Sequence, residues 1–229
     1  MKDLKELEKK LGITFINQNF LHTSIIHRSY LNEHKDLKLQ HNERLEFLGD
    51  AVLELITTEY LFLHYDNPEG ELTNWRASLV NANMLAEIAT ILGIEPFIQM
   101  SKGEAQDKNP KARHYILANA LEAIIGAIYL DQGTPAAKKF IDENILVKLP
   151  HILQNHLYLD PKSKFQEKAQ EVHNLTPVYR VLEESGPDHN KFFKVGVYLE
   201  NDLVAEGEGT SKQEAQVDAA ENAIKLKNW

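Results

Sequence analysis

Residues 42–65 read NERLEFLGDAVLELITTEYLFLHY, and the rest of the chain is best interpreted around this segment, from Asn42 to Tyr65. Its apolar residues recur at steps of three and four, a spacing that predicts one apolar face of an α-helix. The residues assigned to that face are Leu45, Leu48, Val52, Leu55 and Ile56. We therefore expect a long central helix that packs into a core through this face.

Three carboxylates lie on another face of the same predicted helix. Glu43, Glu46 and Asp50 are spaced i, i+3 and i+7, and like charges at this spacing destabilise an exposed helix by roughly a few tenths of a kcal/mol per pair. Gly49 lies among them and costs roughly 0.5–1 kcal/mol relative to alanine. The pattern indicates either a solvated charged surface or a cation site, and this helix alone leaves both open.

Composition limits the classes of function. The chain has 229 residues and a net charge of −9, which is unfavourable for non-specific binding to nucleic acid. Neither part of the chain is basic, because residues 1–150 hold 16 Lys and Arg against 21 Asp and Glu, and residues 151–229 hold 9 against 13. A phosphate partner must therefore meet a local basic patch, or metal ions that join carboxylates to phosphate.

The sequence carries no sign of secretion or membrane insertion. It has no cysteine, which excludes disulfides, thiolate metal sites and a cysteine nucleophile. No run of about eighteen apolar residues is present, and the first residues are amphipathic and charged rather than an apolar leader. We expect a cytoplasmic protein with no membrane partner.

Residues 1–150 read as helices without a hairpin signal. The pattern predicts helices at 20–30, at 74–92 with Thr73 as its cap, and at 114–130 with a stop at Asp131-Gln132-Gly133. It predicts a loop or mobile flap at 101–111, where polar and turn-forming residues dominate. The predicted architecture of this part is an all-α domain.

The spacing of apolar residues changes after residue 156. A helix at 162–173 is followed by segments with a period of two, which predict three strands, and by a last helix at 211–226. The third strand is expected at 203–206, with Gly207 and Gly209 ending it. The order α-β-β-β-α predicts a small α+β domain at 161–229, joined to the helical domain at 1–150 by a linker at 151–160.

A further acidic residue, Glu122, belongs to an otherwise apolar predicted helix. Glu122 and Asn119 are three residues apart in the predicted helix at 114–130, so they point the same way. A buried carboxylate needs a partner. One interpretation is an ion pair between Glu122 and an arginine, for which the candidates are Arg44, Arg76 and Arg113. The other is that Glu122 and Asn119 meet Glu46 and Asp50 around a cation.

The type of cation follows from the donor atoms. Carboxylate and amide oxygens suit Mg²⁺ or Mn²⁺ rather than zinc. The sequence lacks the Glu-x-x-His spacing of di-iron bundles, the His-Glu-x-x-His of zinc enzymes and the phosphate loop of nucleotide-binding proteins. Oxygen-ligated metal is therefore the one chemistry that the sequence supports, and no small-molecule cofactor is expected.

The C-terminal part carries scattered polar candidates for RNA contact. Gln166 and Gln170 are one turn apart near the start of its first helix, His189 lies in the first hairpin turn, and Lys212 lies in the first turn of the last helix. Each one alone reads as an ordinary surface residue. Together they mark two helix starts and a loop that a duplex RNA could contact at minor-groove hydroxyls and phosphates.

Several of these segments resemble the ribonuclease III family of bacteria. The segment from Glu43 to Leu53 resembles its signature, and His27-Arg28-Ser29-Tyr30, Glu69–Thr73 and Leu121–Asp131 resemble further blocks of its nuclease domain. Lys164–Glu167, Gly186–His189 and Gly207–Lys212 resemble its double-stranded-RNA-binding domain. The resemblance covers nearly the whole chain in one colinear order.

The resemblance implies a metal-dependent endonuclease that cleaves double-stranded RNA as a homodimer and leaves 5′-phosphate and 3′-hydroxyl ends. It implies that Glu46, Asp50, Asn119 and Glu122 bind Mg²⁺, which Mn²⁺ replaces, and that Glu43 and Glu69 line the catalytic valley. It assigns Phe47 to the dimer contact, although an ordinary core position is the alternative. It assigns Gln166, Gln170, His189 and Lys212 to RNA binding, and it implies processing of ribosomal RNA precursors and other structured transcripts.

Two departures from the family pattern affect these expectations. The family usually has Asp where this chain has Asn119, which removes one negative charge and lowers the expected affinity for Mg²⁺. The family tends to have two lysines where this chain has Lys212-Gln213, which predicts weaker and more salt-sensitive RNA binding. The rival functions are a double-stranded-RNA-binding protein that does not cleave, if Asn119 disables the metal site, and a helical interaction protein with an acidic surface.

Overall fold

The computed structural model describes residues 3–107, 109–187 and 191–229, and its chain contacts divide it into two units, 1–155 and 156–229. The first unit is helical. Its helices are α1 Leu4–Leu11, α2 Gln18–Ser24, α3 Arg28–Glu33, α4 Glu43–His64, α5 Glu69–Val80, α6 Ala82–Ile91, α7 Lys102–Gln106, α8 Pro110–Asn144 and α9 Leu149–Gln154, with 3₁₀ turns at Glu95–Phe97 and Leu146–Lys148.

Helices α4 and α8 pack against each other at the centre of this unit. Their backbones touch at two glycines: a Cβ on Gly49 would lie 1.7 Å from the carbonyl oxygen of Glu122, and a Cβ on Gly126 would lie 2.3 Å from that of Leu45. Only glycine fits at both positions. The contact explains why a helix that carries three carboxylates also accepts Gly49, since the glycine is where α8 approaches.

The apolar face assigned to α4 is correct except at one position. Leu45, Val52 and Ile56 are buried and Leu48 is half-buried, but Leu55 is 67% exposed. Leu53 and Leu61 are buried instead. The face turns slightly along the 22 residues of α4 because the helix packs on α8 and then on α5, a direction that spacing alone does not give.

Three predicted segments differ in their boundaries. The helix expected at 74–92 is two helices, because Asn81 adopts extended backbone and its side chain accepts a hydrogen bond from the Met84 amide as the cap of α6. The helix expected at 20–30 is α2 and α3, separated where Ile26 forms a bridge with Gln99. The expected loop at 101–111 contains α7, capped by Ser101.

Helix α8 breaks where the sequence predicts. Gly133 has φ 76° and ψ −176°, and Pro135 follows in the next turn. Asp131 accepts hydrogen bonds from the amides of Ile16 and Asn17, both at 2.8 Å, and so fixes the chain that enters α2. The part of α8 before the break is strongly apolar and contributes many of the buried residues of this unit.

The second unit has the predicted α-β-β-β-α order. Its elements are α10 Pro161–His173, β1 Val178–Ser185, β2 Phe192–Leu199, β3 Asp202–Gly209 and α11 Lys212–Lys227. The sheet is antiparallel with order β1-β2-β3. Phe165 of α10, Val197 of β2 and Ala219 of α11 meet in its core.

The third strand is longer than predicted, because Gly207 and Gly209 lie within it rather than after it. A Cβ on Gly207 would lie 2.0 Å from the amide nitrogen of Ala219. The glycine and the alanines of α11 therefore allow helix and strand to pack closely. An all-α domain followed by a small α+β domain is confirmed. In the described part of the chain no helix is long and apolar enough to cross a membrane.

Candidate active site and RNA-binding surface

The acidic residues of α4 lie at its first two turns. Glu46 is half-buried, whereas Glu43 and Asp50 are exposed. Burial raises the pKa of Glu46, the neighbouring charge of Glu43 raises it further, and a hydrogen bond with the Asn119 side chain lowers it. Glu46 therefore lies between acidic neighbours on its own helix and an amide from α8.

Glu122 reaches the same region from α8. Burial, followed by the charges of Asp50 and Glu46, raises the pKa of Glu122 to about 7. The three carboxylates therefore lie close enough to repel one another across the helix pair. We name Glu46, Asp50, Asn119 and Glu122 the carboxylate cluster. The close approach at Gly49 and Gly126 is what brings its two halves together.

The arginine interpretation of Glu122 receives no support. Arg113 donates to Glu95 at 2.6 Å, and Arg76 donates to Thr58 at 3.0 Å and lies 3.9 Å from Glu54. Within the described residues no ion pair reaches Glu122 from any basic side chain. A half-buried carboxylate without a cationic partner is costly when ionised, and a bound cation removes that cost.

The cluster does not form a closed cage by itself. Among the residues placed by the structure, no three His, Asp or Glu side chains converge closely enough to hold an ion unaided. The donor set fits Mg²⁺ or Mn²⁺ chemically, since all of its donor atoms are oxygens.

Glu43 faces basic groups that the sequence argument missed. Arg28 Nη1 lies 3.6 Å from Glu43 Oε1, and His41 Nδ1 lies 3.7 Å from Glu43 Oε2. Arg28 follows His27, the residue that caps α3 and accepts from the Ser29 amide. The sequence pattern gives the segment His27–Tyr30 no role of its own, and its place beside Glu43 depends on the tertiary fold.

Glu69 is separate from the carboxylate cluster in its contacts. It is the first residue of α5, is exposed, and accepts from the Thr73 hydroxyl at 3.2 Å. With Thr58, Phe62 and Arg76 it lines a cavity of about 650 Å³. The structure therefore puts Glu69 at an open pocket between α4 and α5. No interaction joins it to Glu46 or Asp50 among the described contacts.

Phe47 is not a core residue. Its side chain is 81% exposed, and other exposed apolar side chains follow it along α4 at Leu55, Phe62 and Leu63. A cavity of about 750 Å³ beside Phe47 is lined in part by Phe20, Leu48 and Leu130. An exposed apolar row next to a pocket is typical of a protein contact. Its members beyond Phe47 were missed because an apolar residue in a helical pattern reads as core.

The candidates for RNA contact lie on the exposed sides of their helices. Phe165 and Ala169 of α10 are buried, which leaves Gln166 and Gln170 exposed one turn apart. Lys212 is the first residue of α11, exposed, with Ser211 as the cap. His189 lies outside the described residues. Gln166 and Gln170 lie on α10 and Lys212 lies on α11, the two helices that pack on one face of the sheet.

Comparisons with known proteins agree with both units. The model of a family described as ribonuclease-III-like matches residues 17–149, and that of the double-stranded RNA binding motif matches residues 161–227. Ribonuclease 3 of Enterococcus faecalis is 42% identical over 221 residues, which are 96% of this chain and 95% of that protein. Ribonuclease 3 of Carboxydothermus hydrogenoformans is 42% identical over 226 residues, 98% and 96% of the two chains.

A solved structure supports the first unit. The nuclease domain of ribonuclease III from Campylobacter jejuni is 41% identical, with a TM-score of 0.57 over 65% of this chain and 99% of that one. A helical nuclease domain followed by a double-stranded-RNA-binding domain defines the class of the protein. The chain belongs to the ribonuclease III family, as its sequence predicts. It is a ribonuclease III-type endoribonuclease that acts on double-stranded RNA.

Proposed function

We propose that the carboxylate cluster is the catalytic centre of this endoribonuclease and that it works with Mg²⁺, for which Mn²⁺ substitutes. The observation that carries the proposal is the contact of α4 and α8 at Gly49 and Gly126, which gathers three carboxylates, none of them in an ion pair with a lysine or arginine among the described residues. The ribonuclease III family depends on divalent metal in general, and the oxygen donors of the cluster suit Mg²⁺.

The side chains of the cluster have distinct roles in the proposal. Glu46, Asp50 and Glu122 offer carboxylate oxygens, and Asn119 offers a neutral carbonyl oxygen. Because the pKa of Glu122 is about 7, this residue has to lose a proton before it can bind a cation fully. Mg²⁺, when bound, lowers the pKa of a water molecule and neutralises charge on the phosphodiester. The products would carry 5′-phosphate and 3′-hydroxyl ends.

Other residues would shape the RNA-binding surface. Glu43 and Glu69 would line the catalytic valley, and Phe47 would be the dimer contact, which its exposure supports. The related nuclease domain from Campylobacter jejuni has a region involved in dimer formation, which supports a homodimer here. Gln166, Gln170, His189 and Lys212 would contact duplex RNA, in ribosomal RNA precursors and other structured transcripts of the cytoplasm.

A second function is favoured by one observation, the Asn119 side chain. It supplies no negative charge, and it interacts with Glu46, whose pKa it lowers. If this prevents metal binding, the chain binds double-stranded RNA without cleaving it. That function would require only the second domain.

Cleavage of a long RNA duplex with and without Mg²⁺ separates the two functions. We expect discrete duplex products from the protein as given, and none in the presence of a chelator. Asn119→Asp, run in parallel, tests the side chain itself. Cleavage by Asn119→Asp alone would establish the non-cleaving function of the unaltered protein. Absence of cleavage by both proteins would refute the assignment of the carboxylate cluster.

A further inference from the structure

Glu184, at the end of β1, lies between two lysines of the RNA-binding domain. Its Oε1 atom accepts a hydrogen bond from Lys191 Nζ at 2.8 Å, and its Oε2 atom lies 3.8 Å from Lys212 Nζ. The hydrogen bond from Lys191, and the charges of both lysines, hold the pKa of Glu184 below its usual range. One carboxylate therefore interacts with two cations, one of which is the candidate phosphate contact Lys212.

Strand register and helix packing bring Glu184 and Lys212 together. Glu184 is paired with Phe193 of β2 in the antiparallel register, so the two side chains share a face of the sheet. Phe193 is buried together with Ala215 of α11. Lys212, one turn earlier in α11, holds its Nζ atom 5.6 Å from the centre of the Phe193 ring. The strand register thus sets the carboxylate beside the start of the helix.

We propose that Glu184 is an internal competitor of RNA phosphate, which neutralises Lys191 and Lys212 until a duplex phosphate displaces it. The inference rests on the proposed RNA-binding role of Lys212. Exposed ion pairs are weak, so a phosphate can replace the carboxylate. The replacement nevertheless lowers affinity, because the lysines exchange one anion for another and release fewer counterions than free lysines would.

At Lys212 the geometry favours competition over positioning. The distance of 3.8 Å between Lys212 Nζ and Glu184 Oε2 is too long for a hydrogen bond, so the carboxylate offsets the positive potential of the ammonium group without fixing the direction of the side chain. The effect is greater in this chain than it would be in a basic domain, because residues 151–229 hold 9 Lys and Arg against 13 Asp and Glu. Glu184 would therefore make the domain selective for ligands that present several phosphates at once.

Binding of the full-length protein to a labelled RNA duplex of about 20 base pairs tests the proposal. A chelator is present so that no cleavage occurs. Glu184→Gln is expected to bind about 3- to 10-fold more tightly at low salt, with a log–log salt slope steeper by about one, since one more lysine charge is freed for phosphate. Equal or weaker binding by Glu184→Gln would overturn the competition.

Glu183→Gln is the matched control. It changes net charge equally at the adjacent residue, but Glu183 is paired with Lys194 across the strands and acts on that lysine. Its affinity is expected to stay within about twofold of the unaltered protein. An equal gain in both variants would refute a local role for Glu184, because it would show an effect of net charge alone.

Lys212→Gln separates this inference from the function on which it rests. It is expected to weaken binding, and the gain from Glu184→Gln is expected to shrink in the double variant. If Lys212→Gln leaves binding unchanged, the proposed RNA-binding role of Lys212 fails. If Lys212→Gln weakens binding while Glu184→Gln brings no gain, the RNA-binding role holds and only the competition is refuted.

Discussion

Among single residues, Asn119 is expected to tune the carboxylate cluster most directly. The family pattern predicts aspartate at this position, and the interaction of the Asn119 side chain with Glu46 lowers the pKa of that carboxyl. The amide thus reduces repulsion in the metal-free protein but provides one charge fewer for a cation. Affinity for metal and stability without metal are therefore expected to change in opposite directions at this position.

Asn119→Asp should lower the Mg²⁺ concentration required for half-maximal cleavage by about tenfold, or about 1.4 kcal/mol, because a fourth carboxylate joins the cluster. It should also lower the melting temperature of the metal-free protein, because like charges accumulate. Mg²⁺ titrations of cleavage and thermal melts measure the two effects. Asn119→Ala is the control that removes both ligand and hydrogen bond. An unchanged Mg²⁺ requirement in Asn119→Asp would contradict a ligand role.

Glu122 gives a prediction of pH dependence. Its folded pKa of about 7 exceeds the unfolded value of 4.5, so the carboxyl costs no stability below the unfolded pKa. The cost grows as pH rises from about 4.5 to about 7 and is complete above that. Glu122→Gln should therefore stabilise the metal-free protein at pH 8 by about 1 kcal/mol after allowance for solvent screening, or about 2–4 °C, and have little effect at pH 4.

The measurement is a series of thermal melts across this pH range in a chelator. Added Mg²⁺ should then stabilise the unaltered protein and leave Glu122→Gln unchanged, since the variant has lost a ligand. Destabilisation by Glu122→Gln at every pH would instead indicate that the carboxylate has a structural partner.

Among the secondary-structure elements, the contact of α4 with α8 means that tertiary packing, rather than helix propensity, requires glycine at position 49. In isolation, alanine would favour the helix by roughly 0.5–1 kcal/mol. In the folded protein, a Cβ at this position would meet the carbonyl carbon of Glu122 at 2.6 Å and the Gly126 amide at 2.9 Å. Backbone cannot yield as a side chain can, so the helices would have to separate.

Gly49→Ala should therefore destabilise the protein by about 3 kcal/mol or more, despite its better helix propensity. Gly70 of α5 is the matched control, because a Cβ there would meet nothing within 4 Å. Gly70→Ala should be neutral or slightly stabilising. Chemical unfolding of the two variants gives the comparison. Equal effects would show that α4 and α8 can separate at little cost.

At the scale of the whole molecule, the exposed apolar row of α4 raises the question of assembly. Phe47 is 81% exposed in the single chain, so its removal should not affect the core. If it anchors a homodimer, Phe47→Ala should weaken the dimer by about 2 kcal/mol, more than tenfold in the dissociation constant. Sedimentation at several concentrations measures it.

Ile16 offers a control for this variant. It is 82% exposed and lies in the same unit, but it is not part of the row on α4. Ile16→Ala should leave the association constant unchanged. A monomer in the unaltered protein, or the same loss in both variants, would contradict a specific role for Phe47.

The family was accessible from the sequence through the resemblance of segments such as Glu43–Leu53 to the family's motifs. The order of the elements follows from local information: the spacing of apolar residues, the turn residues that end the helices and the switch of period from 3.6 to 2. Boundaries were less well predicted where a cap or a long-range bridge intervenes. Asn81 splits one predicted helix through its own side chain, and the bridge of Ile26 with Gln99 splits another.

How those residues combine depends on the tertiary structure. That Gly49 fits the backbone of α8 and that Arg28 lies beside Glu43 are contacts between segments far apart in the chain. The contact of Glu184 with Lys212 likewise depends on strand register and helix packing. Periodicity records which face of a helix is apolar, but it contains no information on which surface that face will meet. The acidic residues can therefore be identified from the sequence, whereas their assembly into one cluster depends on how α4 and α8 pack.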